Sequence, residues 1–264
     1  MFWQVSKEGY TSQMKNILVC LHGWGGSKES FTELRAALKG ESIEILTPDL
    51  PGFGSEPEPK KPWTVDDYAD WVDAWIKSHV SAASYSLLGH SHGGRIALKL
   101  AHRQSSQVSN PNPQSRTLID HLYLCAAAGI RHPRHFKRIV GLTLSKTGKF
   151  FLGIPGLTLL APLGKKLLYK LVRVHDYEKA SAVMRQTMIN VSAEDLRPIL
   201  KDIRIGTDIF WGTDDRMTLY CDALVMKSEI RGSELHAYEG IRHAVHRDRA
   251  NEIAAVIRSR ILPS

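Results

Sequence analysis

Along the chain, short segments that are apolar throughout alternate with longer ones that are apolar on one stripe only. Asn16–Leu21 (NILVCL) is continuously apolar after its first residue, as a strand covered on both faces should be, and residues 43–47 form a second β-rich run. Between them Phe31, Leu34, Ala37 and Leu38 recur at helical spacing. Residues 48–62 make a loop with five prolines and two glycines. Thr64 with Asp67 three positions on then has the form of a capping box, and Val65, Tyr68, Val72, Trp75, Ile76 and Val80 fall on one helical stripe. A short strand at 85–88, a glycine-rich turn and a helix over 95–104 continue the alternation. A polar loop at 105–115 and a buried strand at 121–126 follow. The pattern resumes at 208–211 and 235–238 and ends in a helix over 251–261. Strands alternating with helices imply right-handed crossovers and a mostly parallel central sheet flanked by helices, an α/β fold.

The alternation is missing between Gly129 and Gly206. Stripes such as Leu167, Leu168, Leu171 and Val172, and then Ala180, Val183, Met184, Thr187 and Met188, read as helices instead. The expected organisation is therefore a core of residues 1–129 and 205–264, interrupted by a helical insertion over 130–204.

Candidate chemistry gathers at two turns. Gly89-His90-Ser91-His92-Gly93 is a G-x-S-x-G motif placed just after a strand and just before a helix. A nucleophile there sits on a turn so tight that only small residues fit beside it, which lifts the Ser91 hydroxyl above the sheet. The turn also aims the free N–H groups of the following helix at whatever the serine attacks. Leu21-His22-Gly23-Trp24-Gly25-Gly26 follows the first strand in the same way. A glycine-rich loop lets backbone donors approach a developing oxyanion, so the N–H groups of Trp24 and His92 are the candidates for that role. His22, Gly23, His90 and His246 are candidate pocket residues.

With both turns in place the chain resembles the α/β-hydrolase superfamily over nearly its whole length, and within it esterase- and lactonase-like serine hydrolases with a helical cap. Asp49-Leu50-Pro51-Gly52-Phe53-Gly54-Ser55 is similar to the family's D-x-x-G-x-G-x-S loop, and Gly212-Thr213-Asp214-Asp215 to its G-x-x-D segment. That likeness implies Asp215 as the acid of a catalytic triad, although Asp214 adjoins it. His243, with Asp248 five residues later, resembles the family's histidine block, and the order Ser91, Asp215, His243 is the one this fold uses. Two departures stand out: Arg242 replaces the glycine that usually precedes the histidine, and the proline common after the acid is absent from residues 217–219. His246, three residues past His243, either contacts the pocket or caps the last helix. The insertion sits where the family places its cap, and the break at Pro155-Gly156 suggests a lid.

The resemblance implies a carboxylesterase-type enzyme acting on small or medium acyl esters through an acyl-enzyme, with lactones, acyl-homoserine lactones included, as the alternative. Ser91 stands where epoxide hydrolases and haloalkane dehalogenases of this fold carry aspartate, which argues against both. No tryptophan follows His243 in Ala244-Val245, which disfavours carbon–carbon bond hydrolysis. A non-catalytic binding protein would lack a triad member, and none is lacking. No cofactor is expected. His90-x-His92 invites a metal site, but Gly93 and Gly94 follow where a metal hydrolase would place a carboxylate, so no metal is expected either.

Composition changes this picture little. The 264 residues are 43% apolar and 23% charged, ordinary for a globular domain. No secretory leader is expected in residues 1–10, and the longest apolar-rich run, 150–163, is too short and too broken to span a bilayer, which takes about 20 residues. Cys20, Cys125 and Cys221 form no C-x-x-C pair and read as buried thiols in a reducing compartment, hence a cytoplasmic protein. The net charge of +8 suggests nucleic acid until it is located. Residues 130–204 carry fifteen Lys or Arg against five Asp or Glu, while the remainder carries twenty against 22. A basic insertion above a nearly neutral frame, with no reading element and no stacking aromatics, points away from nucleic acid and stable membrane insertion, and could steer anionic substrates or a membrane surface or keep the lid soluble. The partner that the resemblance implies is a small-molecule ester or lactone.

Overall fold

The computed structural model describes residues 16–107, 118–132 and 180–262. Among them six strands form one sheet, β1 (Asn16–Leu21), β2 (Ile43–Leu46), β3 (Ser84–His90), β4 (Leu118–Cys125), β5 (Gly206–Gly212) and β6 (Glu234–Tyr238), in the order β2-β1-β3-β4-β5-β6. Every neighbouring pair is parallel. Helices connect the strands: α1 (Thr32–Ala37), α2 (Val65–His79), α3 (His92–Gln107), α4 (Ala182–Ala193), α5 (Arg197–Leu200), α6 (Tyr220–Glu229), α7 (Val245–Asp248) and α8 (Ala250–Ile261). A single 3-10 turn, Lys28–Phe31, precedes α1.

The central strands are buried on both faces, which is why they read as unbroken apolar runs. Leu18, Val19, Cys20 and Leu21 of β1, Leu87 and Leu88 of β3, and Leu122, Tyr123, Leu124 and Cys125 of β4 are all inaccessible to solvent. The edge strand β2 is only half-buried. Helix α2 starts where its capping box places it: the Asp67 N–H donates to Thr64 Oγ1 (3.3 Å) while the Thr64 N–H donates to Asp67 Oδ2 (2.7 Å). Its stripe of Val65, Tyr68, Ala69, Val72 and Ile76 is buried in the core. Its other face carries Asp66 and Asp70, which pair with Arg103 on α3.

Sheet order fixes where a site can form. The chain leaves β1 toward one edge to make β2, then returns to the other side of β1 to make β3. The crevice beyond the carboxyl ends of β1 and β3 is thus the switch point at which open α/β sheets bind ligands.

Several element boundaries differ from the sequence pattern: α3 runs on to Gln107, into the start of the 105–115 loop, β4 begins at Leu118, and at the elbow two boundaries shift for one reason. Strand β3 runs on to His90 and α3 begins at His92, so Ser91 alone makes the turn. The glycines Gly93 and Gly94, poor helix formers by propensity, lie inside the first turn of α3, where packing against β1 and β4 leaves no room for a side chain. Another reading is corrected outright: Cys20 and Cys125 are buried, but Cys221 is exposed, because it lies on the outer side of the first turn of α6.

Of the insertion, residues 130–132 and 180–204 are described; the lid break at 155–156, the apolar run 150–163, the stripe 167–172 and most of the 105–115 loop lie outside the described residues. Helix α4 buries Met184, Thr187 and Val191, close to the stripe read from the sequence. It is held to the loop after β2: the Trp63 N–H donates to Thr187 Oγ1 (3.0 Å) and Asn190 Nδ2 donates to the Trp63 carbonyl (3.3 Å). The two ends of the insertion meet at the core. The Leu196 N–H donates to the Gly129 carbonyl (2.8 Å), the Arg131 N–H to Asp195 Oδ1 (3.4 Å) and Arg197 Nη2 to the Arg131 carbonyl (3.2 Å). No helix among the described residues is long and apolar enough to cross a membrane.

Candidate active site

Ser91 has φ = 52°, in the left-handed region that non-glycine residues avoid at a cost of about 1–3 kcal/mol. The surroundings leave it no choice. Its N–H donates to the Cys125 carbonyl (3.1 Å), and its own carbonyl accepts from the N–H groups of Ala128 (2.8 Å) and Arg95 (3.2 Å). The elbow is pressed onto the end of β1: a Cβ on Gly93 would stand 2.1 Å from the Leu21 carbonyl oxygen, and one on Gly23 2.9 Å from His90 Nδ1 and 3.1 Å from Ser91 Cβ. Glycine at 23 and 93 is the condition for bringing the His22–Gly26 loop beside the serine.

That loop is braced from below by the D-x-x-G-x-G-x-S segment. Asp49 accepts from the Lys28 N–H (2.7 Å), the Ser55 N–H (2.9 Å) and the Ser55 hydroxyl (2.9 Å). Gly54, at φ = 58°, passes so close to the Asp49 carboxylate that a Cβ would meet it at 2.2 Å. The Leu50 N–H donates to His22 Nε2 (2.9 Å), so His22 carries its proton on Nδ1 and donates it to the Gly23 carbonyl (2.8 Å). His22 is thus fully buried and committed to the backbone. The Trp24 ring packs edge-on against Phe53 (4.9 Å between centroids) and His92 (5.4 Å), which orients the turn that bears the Trp24 N–H. His92 opens α3, so its N–H is one of the four at a helix start without an acceptor in the helix.

The acid and the histidine come from the far side of the sheet. Asp215, in the turn after β5, is buried; Asp214 is exposed. His243 Nδ1 donates to Asp215 Oδ2 at 2.7 Å. The other Asp215 oxygen accepts from the N–H groups of Met217 (2.8 Å) and Thr218 (3.2 Å), a turn in which aspartate caps its own following backbone. Burial pushes the Asp215 carboxyl up, but the hydrogen bond and charge of His243, together with the Met217 N–H and Thr218, outweigh it and hold the group below the ordinary carboxylate range. Among the described residues the Ser91 hydroxyl has no hydrogen-bond partner.

Three residues enlarge this constellation beyond what motifs reveal. The Thr218 hydroxyl lies 2.7 Å from Asp215 Oδ2, 3.1 Å from the Ala126 carbonyl and 3.3 Å from His243 Nδ1, so it touches both members of the pair. A hydroxyl three residues past the acid is the only signal the sequence carried for it. His90 Nε2 donates to the His243 carbonyl (3.1 Å), and its ring lies 4.9 Å from the His243 ring and 3.8 Å from that of His246. His246 sits within α7, buried between His90 and Phe31, and therefore does not cap the last helix. Burial lowers His90 well below the usual imidazole range, helped by its two histidine neighbours, and lowers His246 and His92 each to about 3. These rings stay neutral and add no charge to the cleft.

The sequence model of the Alpha/beta hydrolase family matches residues 18–256. The chain belongs to that family. A stretch of 93 residues is 42% identical to a pimeloyl-[acyl-carrier protein] methyl ester esterase of Shewanella woodyi, covering 34% of this chain and 32% of that one, so the hydrolase spans about a third of that relative's length. Over 240 residues it is 23% identical to Lipase 1 of Psychrobacter immobilis, covering 86% and 70% of the two chains. Among solved structures, a lipase-esterase related protein from Clostridium acetobutylicum superposes with a TM-score of 0.65 at 24% identity, over 94% of this chain and 96% of that one, a likeness of fold. The chain is a hydrolase-family protein with esterase and lipase relatives.

Proposed function

We propose that this hydrolase cleaves carboxylic ester bonds of small or medium acyl substrates through an acyl-enzyme, with Ser91 as nucleophile, His243 as general base and Asp215 as the group that orients it. The observation that carries the reading is the 2.7 Å Asp215–His243 hydrogen bond, joined to the turn that holds Ser91 at φ = 52° by the 3.1 Å hydrogen bond from His90 to the His243 carbonyl. In the reaction His243 Nε2 takes the Ser91 proton as Oγ attacks the acyl carbon, and Asp215 stabilises the imidazolium. The N–H groups of Trp24 and His92 receive the oxyanion. Collapse expels the alcohol, protonated by His243, and leaves the acyl group on Ser91. Water, deprotonated by His243, then attacks that ester and releases the acid and the free serine.

The same proposal makes residues 130–204 a cap over the crevice. It is supported by the meeting of residues 129–131 with 195–197 and by α4 seated on Trp63. A cytoplasmic setting belongs to the proposal too, on the free, buried Cys20 and Cys125. The test is a panel of p-nitrophenyl esters from acetate to octanoate, with lactones alongside. The parent is expected to turn over the shorter esters, and Ser91→Ala to lose at least about 10³-fold in kcat/KM. A parent active on lactones alone would replace the ester by its cyclic counterpart, and undiminished activity in Ser91→Ala would refute the mechanism.

A further inference from the structure

Away from the crevice, two clusters of metal-ligating side chains occur among the described residues. One is Asp208 with Glu234 and His236, at the amino ends of β5 and β6. There the cation is already supplied: Arg260 donates to both oxygens of Asp208 (3.0 and 3.4 Å) and pairs with Glu234 (2.7 Å), and His121 and His236 complete the shell of the carboxylate. That cluster is an ion-pair network and needs no metal.

The other cluster is differently made. His132, just past the point where the chain leaves the core for the insertion, and the adjacent Cys221 and Asp222, in the first turn of α6, bring Nε2, Sγ and a carboxylate oxygen within 4.8 Å of one another. His132 Nε2 lies 2.5 Å from Asp222 Oδ1, and Cys221 Sγ 3.8 Å from the same oxygen. The Asp222 carboxylate is nearly fully buried and no Lys or Arg among the described residues bonds to it. Arg197 senses its charge but gives its guanidinium to Asp195 and the Arg131 carbonyl. Cys221 and His132 are open to solvent, so an ion has a way in.

We propose that His132, Cys221 and Asp222 bind a borderline-soft divalent cation of the zinc class, fastening the foot of the insertion to α6. One imidazole, one thiolate and one carboxylate form the mixed N/S/O set that selects such an ion over magnesium or calcium. Tetrahedral zinc holds its ligands about 2.0–2.3 Å from the metal, and so roughly 3.5 Å from one another. The Cys221–Asp222 separation already meets this, and His132 needs to withdraw from Asp222 by about 1 Å. Water takes the fourth position. None of the three residues belongs to the proposed triad or oxyanion loop, so the two proposals stand or fall separately.

The experiment is titration of the untagged full chain with Co²⁺ under reducing conditions, followed by Zn²⁺ competition. The expected result is one equivalent bound with a thiolate-to-cobalt charge-transfer band in the near ultraviolet. The band should be absent in Cys221→Ser, and affinity should fall at least tenfold in His132→Gln. Zn²⁺ should raise the Tm of the parent and leave that of Cys221→Ser unchanged. Cys221→Ser alters a solvent-exposed side chain and His132→Gln keeps a hydrogen-bond donor beside the buried Asp222 carboxylate, and circular dichroism checks that both variants fold. No charge-transfer band, or metal binding of equal strength in parent and variants, would overturn the proposal.

Discussion

At the scale of single residues, the residue that most sharpens the proposed mechanism is Thr218. Its hydroxyl touches the Asp215 oxygen that accepts the His243 hydrogen bond and the His243 nitrogen that donates it, and a further contact to the Ala126 carbonyl fixes it to the end of β4. Its contacts are with His243 and Asp215, through which it would act, so it is a positioning residue. A hydrogen bond to a charged group is worth about 1.5–3 kcal/mol, and Thr218→Val, which keeps the shape, should lower kcat roughly tenfold or more with KM nearly unchanged. Thr218→Ser should restore most of it. A packing role alone would instead lower thermal stability and leave the kcat of the folded protein intact. The motif pointed to Asp215 but was silent on Thr218, because a lone threonine in Met217-Thr218-Leu219 carries no spacing rule. His90 and His246 were named as pocket candidates, but their packing on each other was hidden, since it joins residues 156 positions apart.

At the scale of elements, the strand-turn-helix that carries Ser91 works only because three backbones converge. A Cβ at Gly93 would lie 2.1 Å from the Leu21 carbonyl oxygen and 2.8 Å from that of His22, both backbone atoms that cannot move without shifting β1. Gly93→Ala should therefore destabilise the fold by about 3 kcal/mol or prevent folding. Gly40→Ala, at a surface turn with φ = 90° and nothing within 4 Å, should cost only about 1 kcal/mol of backbone strain. Urea unfolding of the two variants measures the difference, and equal costs would mean that backbone convergence at the elbow is looser than described. Such convergence was partly legible beforehand. Unbroken apolar runs such as Leu18–Leu21 declare a doubly covered strand, and Thr64 with Asp67 declares a helix start. The extension of β3 to His90 and of α3 back to His92 was not legible, because propensity argues against two glycines in a first helical turn and only the approach of β1 and β4 explains them. The exposure of Cys221 escaped for a similar reason: composition predicts that a cysteine is buried, and only the rotation of α6 decides which way this one faces.

At the scale of the whole molecule, the buried histidines set how the fold responds to acid. His92 and His246 have folded-state values lowered to about 3, and His90 is lowered as well, while in the unfolded chain each titrates near its ordinary 6.5. Between those limits the unfolded state binds protons that the folded state refuses, so stability falls as pH falls below about 6.5. At pH 5 the loss is about 2 kcal/mol for each of His92 and His246. The carboxylates Asp49 and Asp215, held below their ordinary 3.8, give up their contribution only at lower pH. Urea midpoints at pH 7 and pH 5 should therefore differ clearly, and His246→Phe, if it folds, should narrow the gap; identical midpoints would mean that these rings protonate in place. The acyl-transfer assignment for the molecule rests on one claim, that Ser91 is a nucleophile activated in its crevice. Its most direct test is intact-mass measurement after reaction with a fluorophosphonate. One phosphonyl group per chain is expected on the parent, located on the peptide that contains Ser91, and none on Ser91→Ala. No adduct on the folded parent, or an equal adduct on Ser91→Ala, would contradict it.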